Sequence, residues 1–223
     1  MLPILTANEA RVIGCLMEKS VITPDQYPLT LNALTNACNQ KSSRDPVLSL
    51  EQGTVQRSVK DLQAKHLVRI EENFKSGVEK YRQRLCNTAF SEYQLDAGQF
   101  AIICLLFLRG AQTPGELRAH SGRLHTFADN DAVVAALDGL LSRDGDPLVV
   151  RLPRTPGRKD SEYMHLFYGA VDTAAVESEP RVVAAPPPPA EPDVVTALAE
   201  RVRTLEIEVE KLKAHLRLAT PAV

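Results

Sequence analysis

An internal repeat is the feature of this sequence that most constrains its fold. The dipeptide Thr23-Pro24 recurs as Thr113-Pro114, an offset of 90 residues, and the apolar residues before each dipeptide align at the same offset. The aligned pairs are Ile13 with Ile103 and Leu16 with Leu106. A pattern that recurs at a fixed spacing predicts two copies of one structural unit. A chain of 223 residues is long enough for two small domains of this kind.

The first copy begins with two predicted helices. Thr6-Ala-Asn-Glu9 has the pattern of a capping box, which predicts a helix that extends to about Ser20. One buried stripe is expected on this helix, formed by Val12, Ile13, Leu16 and Met17. Two prolines predict a turn at residues 22–28. A second helix is expected from about Leu29, and one of its faces carries Leu31, Leu34 and Cys38.

A third helix and a hairpin complete the first copy. Ser49-Leu-Glu-Gln52 is another capping-box pattern, and apolar residues recur at helical spacing from there to about Lys65, namely Val55, Val59 and Leu62. Residues 67–72 and 78–85 are predicted to be strands, joined by a connection whose Gly77 can adopt a positive φ. Three helices followed by a hairpin is the order of a winged helix-turn-helix.

The second copy is predicted to begin at the cap Asp96-Ala-Gly-Gln99 and to continue with a helix from Thr113-Pro-Gly-Glu116. Its third helix is expected at residues 129–142, with Val133, Leu137 and Leu140 inward, and its hairpin at 147–152 and 162–168. The predicted fold class is therefore mainly α with small β-hairpins (α+β). Its two tandem winged helix-turn-helix domains are expected at residues 5–90 and 95–170.

A linker and a heptad repeat follow the two copies. Six of the fifteen prolines fall within residues 180–192, which predicts a stiff linker at 171–192. Residues 193–218 then show a heptad seam and are predicted to form a coiled-coil helix that makes a homodimer. The seam consists of Val195, Leu198, Val202, Leu205, Val209, Leu212 and Leu216. The alternative is one amphipathic helix folded back on its own domains.

Charge and cysteine usage limit the class of protein. The formal net charge is −2, which argues against a chain that coats nucleic acid indiscriminately but allows a local basic patch. The four cysteines are far apart and form no Cys-x-x-Cys pair, as expected for reduced thiols. The first residues resemble no secretory signal, and the longest apolar run, residues 100–108, is too short to span a bilayer. A cytoplasmic protein without membrane contact is predicted.

The first copy carries the candidate DNA contacts. Residues 39–84 contain ten Lys or Arg against six Asp or Glu, a balance of +4. The third helix places Gln56, Arg57, Lys60 and Gln63 opposite its apolar stripe, and Arg and Gln can both bind base edges. On the hairpin, the candidate backbone contacts are Lys75, Lys80, Arg82 and Arg84. A solvated face of mixed charge is the alternative, since acidic residues dilute the patch.

The stretch Asn36-Ala-Cys-Asn-Gln-Lys-Ser-Ser-Arg-Asp-Pro-Val47 connects the second and third predicted helices. In a helix-turn-helix this connection lies beside the DNA backbone, so its donors are suited to phosphate oxygens. The candidate phosphate contacts in it are Lys41, Ser42, Ser43 and Arg44. The alternative is a connector whose amides and hydroxyls satisfy its own backbone. Lys41 and Arg44 distinguish the two interpretations, because a capping role has little need of their charge.

The second copy has few candidate DNA contacts, and the sequence contains none of the common catalytic motifs. The third helix of the second copy has three acidic residues and no cation, so this domain is expected to pack on the first domain or on a protein partner rather than on DNA. The loop at residues 151–159 is basic and is either a backbone clamp or a solvated loop. No phosphate loop, Gly-x-Ser-x-Gly or His-Glu-x-x-His motif is present, and His120 and His125 lack metal-ligand spacing. We therefore expect no enzyme, no metal and no cofactor.

Three long runs of this sequence resemble the YceH-like family of bacterial proteins. They are residues 9–20 (EARVIGCLMEKS), residues 23–46 (TPDQYPLTLNALTNACNQKSSRDP) and residues 105–118 (LLFLRGAQTPGELR). The resemblance implies two tandem winged-helix domains over roughly Leu5 to Tyr168, and a role in DNA binding that is itself inferred from the fold. Two hypotheses follow, a dimeric DNA-binding regulator and a scaffold that binds other proteins through its winged helices.

Overall fold

The computed structural model describes residues 2–72, 77–89, 91–143, 145–154 and 160–169, together with residues 203, 204 and 206. Six α-helices occur within 2–169 of this set. They are α1 (Ala7–Ile22), α2 (Leu31–Cys38), α3 (Gln52–Ala64), α4 (Ala97–Arg109), α5 (Pro114–Ser121) and α6 (Asn130–Leu141). The linker predicted at 171–192 and the heptad helix predicted at 193–218 lie outside the described residues, except for helical backbone at residues 203, 204 and 206.

Two small antiparallel sheets accompany the helices. The strands are β1 (Leu29–Thr30), β2 (Val68–Glu72), β3 (Glu79–Gln83), β4 (Val149–Arg151) and β5 (Tyr163–His165). The first sheet has the order β1-β3-β2, with Leu29 opposite Tyr81, and the second pairs β4 with β5. Gln112 bridges Tyr163 in the second half as Leu29 pairs with Tyr81 in the first. The predicted class, mainly helical with small antiparallel sheets, is confirmed.

Helix starts follow the sequence closely, with two exceptions. Thr6, Asp96 and Thr113 cap α1, α4 and α5 through complete capping boxes, as their sequences predict. The capping box predicted at Ser49 is wrong, because α3 begins after Glu51, whose side chain makes no capping hydrogen bond. The second helix, expected from about Leu29, begins at Leu31 instead, because Leu29–Thr30 form strand β1, and a strand of two residues has no alternation to detect.

Helix α1 lies at the centre of the fold. Every residue from 9 to 18 is buried, because α1 contacts α2, α3 and α4 on different sides. The sequence predicts one apolar stripe here, and its residues are buried, but the burial extends around the whole helix. Polar side chains such as Glu18 and Arg11 are therefore enclosed and need partners inside the protein.

The two halves share one continuous core. Helix α1 of the first half contacts α4 of the second half, and the buried side chains of both belong to a single cluster. The contact is close at Gly14, where the Sγ of Cys104 donates to the backbone carbonyl at 3.5 Å. A second link joins the backbone N–H of Asp45 to the carbonyl of Leu108 at 2.9 Å. Among the described residues, no helix is long and apolar enough to cross a bilayer.

Replacing Gly14 by alanine tests this shared core. A Cβ at Gly14 would lie 2.9 Å from both Leu108 Cδ2 and Phe107 Cβ, and the second of these atoms is fixed to the α4 backbone. We expect Gly14→Ala to lower the free energy of unfolding by about 1–3 kcal/mol, despite the better helix propensity of alanine. Gly53→Ala in α3 is the matched control, since its Cβ meets nothing within 4 Å and should stabilise by up to about 1 kcal/mol. Urea denaturation measures the free energy of unfolding of both variants. Equal stabilisation of the two would show that α1 and α4 are not closely packed.

Candidate nucleic-acid interface

The solvent-facing side of α3 carries the four residues proposed from sequence. Gln56, Arg57, Lys60 and Gln63 are all exposed. The opposite side is held in the core by Val55, Val59 and Leu62, which are at most 1 % exposed. This division fixes the rotation of α3, so the long polar side chains project away from the core. The predicted amphipathic arrangement of α3 is confirmed.

A groove of approximately 650 Å³ lies between α3 and the β2–β3 hairpin. Gln56, Lys60 and Gln63 line one wall, and Glu79 and Tyr81 line the other. The Tyr81 hydroxyl donates to Glu79 Oε2 at 2.7 Å, which keeps that carboxylate on the hairpin side of the groove. Burial, followed by this neighbouring carboxylate, raises the pKa of Tyr81 to about 12. The groove therefore combines amides, one cation and one anion rather than a uniformly basic surface.

The hairpin cations differ in their surroundings. Arg82 is exposed, but its Nε donates to Glu71 Oε1 at 3.0 Å and its guanidinium lies 5.2 Å from the Tyr27 ring centroid. Lys80 and Arg84 are half-buried, and Lys75 lies outside the described residues. The sequence prediction missed both partners of Arg82. Tyr27 is 55 positions away in the sequence, so no local pattern indicates this contact. Glu71 lies on the paired strand β2, and only the register of the hairpin would have shown that it is a neighbour of Arg82.

The connector at residues 39–50 is largely tied to the protein interior. Asn39 Nδ2 donates to the Leu50 carbonyl at 2.9 Å, and the Leu50 N–H donates to Asn39 Oδ1 at 2.7 Å. Gln40 Oε1 accepts from Lys19 Nζ at 3.3 Å and from Arg44 Nη2 at 3.0 Å. These amides therefore satisfy the connector and its neighbours, which is the alternative considered for this stretch.

Arg44 is buried, contrary to its predicted place on the phosphate-facing surface. Its side chain is fully enclosed and forms a two-pronged contact with Glu18, Nη1 to Oε1 at 3.0 Å and Nη2 to Oε2 at 2.6 Å. Its Nε also donates to the Ala37 carbonyl at 3.1 Å. A guanidinium with these partners has no free edge for DNA, so Arg44 is removed from the candidate phosphate contacts. Arg44 instead links Glu18 of α1 to the Ala37 carbonyl of α2.

The contact between Glu18 and Arg44 shifts the pKa of both side chains. Burial alone would raise the pKa of Glu18, but the Arg44 guanidinium outweighs it and holds that pKa below the ordinary value. The same contact raises the pKa of Arg44 although burial opposes it. Arg11 lies nearby and donates to the carbonyls of Cys38 at 3.3 Å and Pro46 at 2.7 Å. Two arginines thus fasten the connector onto α1.

The remaining connector candidates face outward. Lys41 and Ser42 are exposed, and Ser43 is half-buried with a φ of 59°, a left-handed conformation uncommon for a residue other than glycine. The Ser43 carbonyl accepts from Arg44 Nη1 at 2.9 Å. The buried arginine therefore supports the turn that presents Lys41 and Ser42 to solvent.

The second half presents a different surface. Its α6 has Val133, Leu137 and Leu140 buried, as predicted, and exposes Asp131 and Asp138. Residues 155–159 of its basic loop lie outside the described residues, while Arg151 and Arg154 are exposed. No cluster of three potential metal ligands occurs in the described ranges. The two halves thus differ in charge although they share an element order.

His120 and His125 each contact another side chain, and the cysteines lie in the core. His120 Nδ1 lies 2.7 Å from Gln112 Oε1, and the His125 ring meets Phe127 edge to face at 4.6 Å. All four cysteines are buried and form no disulfide. Cys38 on α2 is a core residue, as its place on the apolar stripe predicts.

Residues 5–158 match a protein family described as "Protein of unknown function, DUF480". This chain belongs to the DUF480 family. The predicted YceH-like relationship is confirmed by a UPF0502 protein YceH of Salmonella newport (strain SL254), which is 46% identical over 212 residues, 95% of this chain and 94% of the relative. UPF0502 proteins of Klebsiella pneumoniae (strain 342) and Vibrio vulnificus (strain CMCP6) are 49% and 50% identical over 95% of this chain, covering 94% and 93% of the relatives.

The DUF480 match contains every candidate DNA-contact residue, from Lys41 to Arg82. It also contains the Glu18–Arg44 pair and the close approach of Gly14 to α4. The candidate interface and the contacts that support it therefore lie within the family region, whereas the heptad residues lie beyond residue 158.

Proposed function

We propose that this chain is a non-enzymatic DNA-binding protein of the transcriptional-regulator type, built from two tandem winged helix-turn-helix domains. The first domain binds DNA, with α3 in the major groove and the β2–β3 hairpin against the backbone. The observation that carries this proposal is the exposed face of Gln56, Arg57, Lys60 and Gln63 on a helix whose opposite face is anchored in the core. Such a face presents base-binding side chains on a rigid support.

The order of elements supports the winged-helix assignment. In each half, three helices are followed by an antiparallel hairpin, and the residue leading into the middle helix pairs with the last strand of that hairpin. The hairpin of the first half adjoins α3 across the 650 Å³ groove. A helix and a hairpin side by side can contact the groove and the backbone of one DNA segment together.

The candidate contacts divide into two roles. Arg57 and Lys60, with the two glutamines of α3, are positioned for base edges, where an Arg can bind guanine through two hydrogen bonds. Lys41, Ser42, Lys80 and Arg82 are assigned to phosphates, which fix register but carry no sequence information. Glu79 and Asp61 lie near the same elements and limit the non-specific attraction. A moderately charged interface of this kind favours selective over indiscriminate binding.

A salt titration on DNA tests the proposal. The parent chain should bind genomic DNA fragments with an affinity that falls linearly on a log-log plot against salt concentration. Arg57→Ala and Lys60→Ala should each weaken binding by about 1–3 kcal/mol if they contact base edges, or reduce the salt slope by about 1 if they contact phosphate.

Arg118→Ala is the matched control, because Arg118 is an exposed cation on α5 of the second half. It should bind as the parent does. Fluorescence anisotropy measures all four proteins, and absence of binding at low salt would rule out the DNA-binding function.

A protein-interaction scaffold is the second candidate function. It is favoured by α6, whose exposed Asp131 and Asp138 make this helix unsuited to phosphate, and by Glu79 within the α3 groove. On this alternative, charge reversal on α6 (Asp131→Lys with Asp138→Lys) would abolish association with a basic partner protein, while the Arg57→Ala variant would retain it.

We also propose that the heptad seam at residues 195–216 forms a parallel homodimer, which would pair two first domains on spaced half-sites. Deletion of residues 193–223 should then convert a dimer into a monomer in sedimentation equilibrium. The same deletion should lower affinity for a two-site DNA fragment more than for a single site, because the linked second contact is lost. A parent chain that sediments as a monomer would contradict the dimer.

A further inference from the structure

A second cleft lies where the two halves of the fold meet, and it shares no lining residue with the α3 groove. Its volume is approximately 460 Å³. The walls come from the end of α1, the turn at Tyr27, strand β3, residues 87 and 88, the start of α4, and Leu124 after α5. We call it the junction cleft. Small-molecule sites have volumes in this range and favour junctions between domains.

Part of the lining of the junction cleft is apolar. Val21, Phe100 and Leu124 line it from three separate segments of the chain. Phe100 is largely buried, at 8 % exposure, whereas Val21 is 43 % exposed at the last turn of α1. A ligand with an apolar body would remove the exposed part of Val21 from water, which is favourable in proportion to the area covered.

Arg82 contributes a cation to the lining of the junction cleft, and two contacts restrain its position. Its guanidinium is held by the Tyr27 ring at 5.2 Å and by the hydrogen bond from Nε to Glu71 Oε1 at 3.0 Å. No hydrogen bond within the described part of the chain engages its Nη1 or Nη2. A planar guanidinium held in this way presents two parallel donors, the geometry that a carboxylate accepts. The fixed position reduces the entropy lost when a ligand binds.

The remaining polar groups of the lining carry no negative charge. No Asp or Glu is among the described residues that line the junction cleft, although Glu71 pairs with Arg82 Nε from outside this set of residues. The Tyr27 hydroxyl accepts from the Gln83 N–H at 2.8 Å, and burial raises the pKa of Tyr27 to about 12, so this phenol stays neutral. Thr88 Oγ1 is buried without a hydrogen-bond partner in the described structure.

We propose that the junction cleft binds a small organic carboxylate with an apolar or aromatic body. The carboxylate accepts from Nη1 and Nη2 of Arg82, and the body packs against Val21, Phe100 and Leu124. Arg82 is also a candidate phosphate contact, so such a ligand would compete with DNA for one guanidinium. This competition rests on the proposed DNA binding, whereas the ligand site itself does not.

Binding is tested on the full chain without DNA, so its outcome is independent of the proposed function. Backbone amide shifts are followed by NMR during titration with benzoate, phenylacetate and isovalerate, each compared with its primary amide. We expect saturable shifts centred on Val21, Thr88 and Leu124, with a Kd of about 0.1–3 mM for ligands of this size. The uncharged amides should bind about tenfold more weakly or worse, because they lack the charge-assisted contact.

Three variants assign the site. Arg82→Met should weaken carboxylate binding about 10- to 100-fold, since it removes both donors and the charge. Val21→Asp changes an exposed residue and places an anion at the mouth, so it should weaken binding similarly without unfolding the chain. Arg151→Met, at an exposed cation outside the cleft, should bind as the parent does. The proposal is overturned by absence of saturable shifts at about 10 mM, by equal binding of acids and amides, or by unchanged binding in Arg82→Met.

Discussion

Arg44→Ala should lower the free energy of unfolding by about 3–5 kcal/mol. The alanine variant would leave the Glu18 carboxylate enclosed in the core without its two-pronged partner. It would also leave the Ala37 and Ser43 carbonyls without the donors that Arg44 supplies. Breaking a buried pair from one side is far more costly than never forming it, because only Lys19 Nζ, 3.4 Å from Glu18 Oε2, is then left to offset the desolvation of the remaining carboxylate. Urea denaturation followed by circular dichroism measures the loss.

Lys41→Ala is the matched control for this experiment. Lys41 lies three residues earlier in the same connector and carries the same charge, but it is exposed. Its removal should change stability by no more than about 0.5 kcal/mol. The double variant Glu18→Gln with Arg44→Met should lose less stability than Arg44→Ala, since no unpaired buried charge remains. A similar small effect of Arg44→Ala and Lys41→Ala would mean that Arg44 is solvated in solution.

The pair of variants also separates the two roles considered for the connector. If Lys41 contacts phosphate, Lys41→Ala should reduce the salt slope of DNA binding by about 1 without loss of stability. Arg44→Ala, measured at a temperature where the variant is still folded, should leave the slope unchanged.

Stability should fall as the pH decreases from 6.5 to 4 because of His165. This side chain is fully buried, and neither ring nitrogen has a hydrogen-bond partner within the described structure. Burial lowers the pKa of His165 from 6.5 to about 4. Between these values the unfolded chain binds a proton that the native chain does not, so acidification favours unfolding. The loss over the whole window is about 3 kcal/mol from this residue.

His165→Phe tests the assignment. The ring lies 4.7 Å from Phe107 and 4.4 Å from Tyr168, measured between centroids, so an aromatic replacement retains these contacts. Its unfolding free energy should vary less between pH 6.5 and 4 than that of the parent, by about 3 kcal/mol. His125→Gln, at a half-buried histidine beside Phe127, serves as the control and should keep the pH dependence of the parent. An identical pH profile for His165→Phe and the parent would exclude His165 as the cause.

Local hydrogen bonding explains which helix starts were predictable. The capping boxes at Thr6, Asp96 and Thr113 each join residues three positions apart, so they depend only on local sequence and can be predicted from it. Ser49 has the same pattern, but the side chain of Asn39 takes up both the N–H and the carbonyl of Leu50. These two hydrogen bonds hold Leu50 in the connector, so α3 starts at Gln52, two residues later than the Ser49 pattern predicts. A contact across eleven positions overrides a local signal here.

Periodicity explains how much of the candidate interface was predictable. The apolar spacing of Val55, Val59 and Leu62 fixes the buried side of α3, so the exposure of Arg57 and Lys60 follows from the sequence. The irregular connector has no such period, and a donor-rich stretch looks the same whether it faces solvent or the core. Lys41 and Arg44 are both cations of this stretch, yet one is exposed and the other is buried.

The sequence by itself determined the order of helices and hairpins, the repeat, the inward face of α3 and the family relationship, because each depends on patterns of neighbouring residues. Only the tertiary structure decided that α1 is enclosed on all sides, that Arg44 meets Glu18 across 26 positions, and that Arg82 rests on Tyr27. These contacts join residues far apart in the chain. The charges of Glu18 and Arg44 would be compatible with solvent, and it is the packing of α1 against its neighbouring helices that excludes water from them, whereas Arg82 stays exposed.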